Sequence, residues 1–90
     1  MTNEQIFSIT YLYSNKLTLI TNINENPELT HCLWMLSMIR SFVSNSDDRE
    51  KTMRWLGFVQ GVLYTKGIYT IDEMREHNRN NTKYKEEFNE

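Results

Sequence analysis

Apolar residues recur at helical spacing near the start of the chain and predict a first helix. Between residues 6 and 20 they return every three or four positions, as on one face of a helix. They are Ile6, Ile9, Tyr13, Leu17 and Ile20. Thr2 and Gln5 precede this face at the spacing of a capping box. The segment is also rich in strand-forming residues, so a β-hairpin over residues 6–23, turning at residues 14–16, remains the alternative.

The middle of the chain predicts a longer second helix. Asn26 followed by Pro27 is a typical helix start, because asparagine caps the first turn and proline fixes φ at the first helical position. A broad apolar face then continues to about Val43. We therefore expect a mostly buried helix over residues 27–43.

A polar turn separates this helix from a third one, over residues 48–66. Asp47 and Glu50 have capping-box spacing and predict its start. Lys66 followed by Gly67 predicts its end, since glycine favours the left-handed conformation that terminates helices. Because the connection is short, the second and third helices should form an antiparallel hairpin.

The last predicted helix is short. Thr70 and Glu73 form another capping box, and a helix should follow to about His77, with Ile71 and Met74 facing inward. Residues 80–90 are rich in Asn, Lys and Glu and predict a flexible polar tail. The fold class is therefore all-α, with residues 1–79 as a single small helical domain.

Composition limits the function. The 90 residues carry a net charge of -2, which argues against nucleic-acid binding. A lone cysteine excludes an internal disulfide and fits a reducing cytoplasm. We expect no signal peptide, because the N-terminus lacks a basic region followed by an apolar run, and no membrane span, because no apolar run reaches the roughly 20 residues that a bilayer requires.

The third helix is unusual because it is apolar around much of its circumference and yet contains Gly57 and Gly61. These glycines lie four residues apart, so they share one stripe of the helix. Each costs about 1 kcal/mol relative to alanine, which suggests close approach by a neighbouring backbone. The hairpin also carries more apolar surface than two short flanking segments would cover. We therefore expect self-association, with a symmetric homodimer through the Gly57/Gly61 stripe as its simplest form, or docking on a partner. The alternative is a small core covered by the N-terminal segment, with Trp34 or Phe58 partly exposed.

Aromatic residues and arginine dominate binding hot spots, and they are concentrated on this hairpin. The predicted partner-binding residues are Trp34, Arg54, Trp55, Gly57, Phe58, Gln60, Gly61 and Tyr64. An alternative site for a nucleotide-like anion would use Arg54, Gln60, Tyr64, Arg75 and Arg79. Two simpler interpretations are a surface pair between Arg54 and a nearby carboxylate, and a solvated helix end at residues 75–79.

Catalytic and metal-binding patterns are missing from the sequence. His31 and Cys32 are adjacent, so on a helix they point about 100° apart and cannot share a metal from one face. Cys32 has leucine and methionine neighbours, which predicts a buried structural thiol. No phosphate loop, catalytic triad or zinc spacing is present. We expect no enzymatic activity, no metal and no cofactor.

The segment over residues 54–63, followed by Gly67, residues 70–75 and residues 77–79, resembles the C-terminal part of small accessory proteins of tailed bacteriophages. The resemblance covers about residues 29–79 and has no counterpart in the N-terminal segment. It implies expression in the cytoplasm of a bacterial host and a role in takeover or counter-defence. No catalytic residues come with it.

Two functions are consistent with these observations. The first is a non-enzymatic, oligomeric protein that binds a host protein and inhibits or redirects it. The second is an oligomer that sequesters a nucleotide-like small molecule. The first depends on the apolar surface around Trp34, Trp55 and Phe58, and the second on the polar residues beside the glycine stripe.

Overall fold

The computed structural model describes residues 1–45 and 48–79 and confirms an all-α fold. Within these residues four α-helices follow one another: α1 (Asn3–Thr18), α2 (Pro27–Asn45), α3 (Arg49–Thr65) and α4 (Ile71–Arg79). A short 3-10 helix, Ile23–Glu25, precedes α2. The predicted tail at residues 80–90 lies outside the described residues.

The N-terminal segment is a helix, as predicted, and not a hairpin. Its capping box forms, because the Thr2 hydroxyl accepts from the Gln5 amide at 3.1 Å while the Gln5 side chain accepts from the Thr2 amide at 2.6 Å. The helix ends at Thr18, although the apolar spacing that predicts it continues to Ile20. Leu19 consequently falls in the turn and is 83% exposed.

The hairpin of α2 and α3 is close to its predicted boundaries. The start of α3 differs, because Asp48 caps it by accepting from the Lys51 amide at 3.0 Å. The cap thus lies one residue later than predicted, and Asp47 lies outside the described residues. At the other end Gly67 has φ +73°, and its amide donates to the Tyr64 carbonyl at 3.0 Å. The predicted glycine stop is therefore confirmed.

The core lies where α1 and α3 pack against the central α2. Each helix contributes one stripe of fully buried side chains at helical spacing. The largest are Ile6, Ile9, Tyr13 and Leu17 from α1, Leu36 and Ile39 from α2, and Leu56, Val59 and Leu63 from α3. A hydrogen bond of 2.9 Å from Arg49 to Asn3 joins the starts of α3 and α1.

The short α4 packs on the bundle through Met74 and His77, which are both buried. Its predicted capping box forms between Thr70 and Glu73. The prediction that Ile71 faces inward is wrong, since it is 43% exposed. At about 100° per residue, Ile71 is rotated about 120° away from His77, so both cannot face the same surface.

No helix within the described residues is both long and apolar enough to cross a membrane.

Candidate functional site: an aromatic face on the helical hairpin

One side of the hairpin carries a row of aromatic side chains that the described residues leave wholly or partly exposed. The row, called here the aromatic face, consists of His31, Trp34 and Phe42 on α2 and Trp55 and Phe58 on α3. Trp34 is 50% exposed and Phe58 is 55% exposed. On each helix these residues lie beside the buried stripe, because their spacing places them on a neighbouring row.

The rings of the aromatic face contact one another in sequence. His31 stacks on Trp34 with 5.4 Å between ring centroids, and Trp34 lies 5.8 Å from Trp55. Trp55 in turn meets Phe42 edge to face at 4.9 Å. Aromatic pairs at these separations contribute about 0.5–1.5 kcal/mol beyond their area burial. These contacts hold the rings in place without removing them from solvent, so the face is ordered before any partner binds.

Lys51 lies at the end of the aromatic face near the start of α3. Its Nζ is 4.4 Å from the Phe42 ring centroid and 5.7 Å from the Trp55 centroid. A cation over an aromatic ring is attracted by the ring's negative face, by about 0.5–1 kcal/mol at an exposed position. The ammonium group is therefore held at one end of the rings, where it adds a positive charge to their border.

The opposite end of the face opens into a cleft between α2 and α3. Pro27, Glu28 and His31 line one side, and Phe58 and Val62 line the other, around a volume of about 280 Å³. This size suits one or two apolar side chains rather than a drug-sized ligand. Glu28 carries the carboxylate of the cleft, and its Oε1 lies 3.3 Å from Lys66 Nζ.

The glycine stripe lies on the outer side of α3, and no part of the described chain covers it. A Cβ atom added at Gly57 or Gly61 would meet nothing within 4 Å. The described residues therefore do not supply the close backbone approach expected at this stripe, and a homodimer through the stripe stays a prediction. Arg54 and Tyr64 share this outer side and are exposed. Arg54 lies 3.7 Å from Glu50, one turn earlier on the same helix, as the simpler interpretation predicted.

The predicted anion-binding residues do not converge. The Gln60 side chain turns away from the outer side of α3, towards α1 and α4. Arg54 and Tyr64 are ten residues apart on α3, or about 15 Å along the helix axis. Arg75 lies 3.6 Å from Asp72 within α4, and Arg79 is exposed at the end of that helix. The structure therefore separates the predicted set into several surfaces.

A buried polar network ties α4 to α1 and α3. Gln60 Nε2 donates to the Tyr13 hydroxyl at 2.9 Å, and the Tyr13 hydroxyl lies 2.8 Å from His77 Nδ1. The hydroxyl accepts from Gln60, and which partner donates in its contact with Nδ1 depends on the tautomer of the His77 imidazole. Burial lowers the pKa of His77, while the carboxylates of Glu73 and Glu76 oppose that shift. The expectation of a solvated helix end is thus wrong at His77, which is 4% exposed.

Reactive groups are scarce in the described part of the chain. Cys32 is fully buried in the core, and burial together with Glu28 raises the pKa of its thiol. A thiol with a raised pKa is a poor nucleophile, which fits the structural role predicted for Cys32. Within residues 1–45 and 48–79, His, Cys, Asp and Glu side chains form no group of three that could hold a metal ion.

Sequence reasoning identified Trp34, Trp55 and Phe58 but missed other members of the aromatic face. His31 and Phe42 share the row of Trp34 on α2, at spacings of three and eight residues, and Lys51 lies one turn before Trp55 on α3. These spacings could have identified His31, Phe42 and Lys51 from the sequence. The network around Tyr13 and His77 had no such signal, since those residues are 64 positions apart.

The site thus defines the chain as a small helical protein with an exposed, pre-ordered aromatic surface. Comparison with protein-family models, with curated proteins and with solved structures finds no match.

Proposed function

We propose that this chain is a non-enzymatic binding protein and that the aromatic face is its protein-contacting surface. The observation that carries the proposal is the half exposure of Trp34, whose ring contacts His31 and Trp55, together with that of Phe58, which lines the adjoining cleft. Tryptophan and other large aromatics dominate binding hot spots, because each buries much area at a low cost in conformational entropy. Contact between the rings lowers that cost further, since fewer side chains must be ordered on binding.

The cleft beside the aromatic face favours a protein partner over a small ligand. Its apolar lining by Pro27, Phe58 and Val62 accepts an aliphatic or aromatic side chain of a partner. Lys51 and Glu28 border the face with opposite charges, as the polar rim of a protein interface does. The separation of the predicted anion-binding residues gives the sequestering function no comparable support.

The resemblance to phage accessory proteins supports a bacterial host protein as the target. In this proposal the chain acts in the host cytoplasm as an oligomer and inhibits or redirects that target. The outer side of α3, with Arg54, Gly57, Gly61 and Tyr64, extends the exposed surface next to Phe58.

Differential capture from bacterial lysate tests the proposal. The tagged wild type is compared with the double variant Trp34→Ser/Phe58→Ser and with a matched control, Leu19→Ser, which removes an exposed leucine in the turn after α1. The proposal expects a host protein that the wild type and Leu19→Ser retain and the double variant loses. Retention of the same proteins by all three chains would contradict it. Circular dichroism of each variant establishes that the helices remain formed.

A further inference from the structure

The arrangement of charges around the aromatic face indicates which molecule binds to it in the isolated protein. Its rings lie in the middle, a base lies at one end and an acid at the other. Lys51 is four residues from Trp55 along α3, which corresponds to about 6 Å along the helix axis. Glu28 is six residues from Trp34 along α2, about 9 Å along the axis and about 120° around it, so it borders the face through the cleft that it lines with His31 and Phe58. Because the helices run antiparallel, these two displacements point in opposite directions from the central pair of tryptophans.

A surface of this kind is complementary to itself after a half-turn. In a twofold dimer the same patch is used by both subunits, so residue i meets residue j while j meets i. A half-turn about an axis that lies in the plane of the interface and crosses the helices at the Trp34–Trp55 pair places the rings of one copy against the rings of the other. It also brings each Lys51 towards the Glu28 end of the opposite copy, at similar distances from the axis.

The contacts that Glu28 and Lys51 make within one chain allow them to pair across the interface. The side chain of Glu28 is 64% exposed although one of its oxygens lies near Lys66. A carboxylate accepts several hydrogen bonds, so it can serve Lys66 and a second ammonium together. Lys51 is held over Phe42 and Trp55 rather than beside a carboxylate of the described residues.

We infer that the occupant of the aromatic face in the isolated protein is a second copy of this chain, related by a twofold axis that pairs Lys51 of each copy with Glu28 of the other. This inference rests on the proposed function, since it names a partner for the same face. It places the rings at the centre of the interface and the charges at its rim, where they set the relative orientation of the two copies.

The oligomeric state of the purified chain tests the inference without any host target. Sedimentation equilibrium is measured at concentrations from about 1 µM to 1 mM, which bracket weak and moderate protein affinities. The expected result is a reversible transition from 10.9 kDa to twice that mass. Phe58→Ser should raise the dimer dissociation constant by about 30-fold or more, as loss of a hot-spot residue does. Leu19→Ser should leave the dissociation constant unchanged.

Charge reversal tests the twofold pairing itself. Lys51→Glu places a carboxylate opposite Glu28 and should raise the dissociation constant about tenfold. Adding Glu28→Lys restores opposite charges across the interface. Adding Lys66→Glu as well preserves the ion pair between positions 28 and 66 of one chain, with the two charges exchanged. This triple variant should return to within about threefold of the wild-type dissociation constant. Circular dichroism of each variant separates lost association from lost folding.

Three results would overturn the inference: a wild type that stays monomeric at the highest concentration, a dimer indifferent to Phe58→Ser, or a triple variant as weak as Lys51→Glu alone. A monomeric wild type whose lysate capture still requires Trp34 and Phe58 would show that another protein occupies the face. In that case the proposed function stands and the second copy does not. If the wild type forms the dimer but its capture of host proteins does not require Trp34 and Phe58, the second copy stands and the proposed function does not.

Discussion

The hydroxyl of Tyr13 lies 2.8 Å from Nδ1 of His77, in a fully buried contact between residues 64 positions apart. This contact joins the first helix to the last one. The Tyr69 ring packs against both partners, 5.3 Å from Tyr13 and 4.8 Å from His77 between ring centroids. A short helix that buries little apolar area of its own is thereby fixed on the bundle by a polar network, whose strength depends on the protonation of one imidazole.

The first prediction concerns pH. Burial lowers the pKa of His77 from the ordinary value of 6.5, so the unfolded chain takes up a proton at a higher pH than the folded one. The free energy of unfolding should have its full value above about pH 6.5 and fall as the pH drops from there towards the folded pKa. The slope is at most about 1.4 kcal/mol per pH unit, the value for one proton. Urea denaturation between about pH 7.5 and pH 5 measures the free energy of unfolding at each pH and so gives this slope.

His77→Gln should flatten this pH dependence, because glutamine remains neutral throughout the range. His31→Gln is the matched control, since it removes an exposed histidine from the aromatic face. The lowered pKa of Glu73, which results from its hydrogen bonds to Thr70, adds a loss of stability in the same direction, but only below pH 4.5. Equal slopes in the wild type and His77→Gln above pH 5 would contradict the assignment.

The second prediction concerns the hydroxyl that Gln60 and His77 share. Tyr13→Phe deletes it while keeping the ring, so two hydrogen bonds are lost at a buried site. We expect a loss of about 1–3 kcal/mol in the free energy of unfolding, the usual range for buried polar groups whose bonds are removed. Tyr64→Phe removes a hydroxyl from an exposed ring and should change the stability by less than about 0.5 kcal/mol. Similar losses in both variants would show that the network contributes little.

Local signals in the sequence predicted the helices well. The boxes at Thr2 and Thr70 and the stop at Gly67 each involve groups within five residues of one another, so the pattern alone specifies the geometry. The limits of α1 were less predictable. Ile20 and Ile23 continue the apolar period beyond Thr18, but they pack against the core from a turn and a 3-10 helix. At Ile20 and Ile23 the apolar spacing therefore predicted burial correctly but predicted the wrong secondary structure.

The candidate site was predictable in part for the same reason. Trp34, Trp55 and Phe58 stood out because both hairpin helices are apolar beyond one stripe. The side of α3 that packs against the rest of the chain was not predictable, since Gly57 and Gly61 mark a row that the described residues leave open. The direction of Gln60 depends on Tyr13 and Asn78, and both lie far from it in sequence. Interactions between distant helices are not encoded in the spacing within either one.

The third prediction concerns the core. Leu36 is fully buried in the central helix α2, so truncation removes apolar contacts and leaves a cavity. Leu36→Ala should lower the free energy of unfolding by about 2–5 kcal/mol. The matched control is Leu19→Ala, because Leu19 is 83% exposed and the same truncation removes almost no buried area. Urea titration followed by circular dichroism measures both, and comparable losses would mean that α2 is not at the centre of the fold.

The last prediction separates the glycine stripe from the aromatic face. An added methyl group at Gly57 or Gly61 would meet no atom within 4 Å, and both residues lie inside a helix. Gly57→Ala and Gly61→Ala should therefore each raise the free energy of unfolding by about 0.5–1 kcal/mol, because alanine loses less conformational freedom in a helix.

Gly67→Ala is the control with the opposite sign. The backbone of Gly67 has φ +73°, which costs an alanine about 1–2 kcal/mol. The double variant Gly57→Ala/Gly61→Ala should also keep the wild-type dimer dissociation constant, because the twofold interface centred on Trp34 and Trp55 does not require close approach at the glycines. If the double variant is more stable as a monomer but no longer forms the dimer, the interface lies at the glycine stripe. It would then be the close backbone packing expected from the sequence, rather than the rings, that holds two copies together.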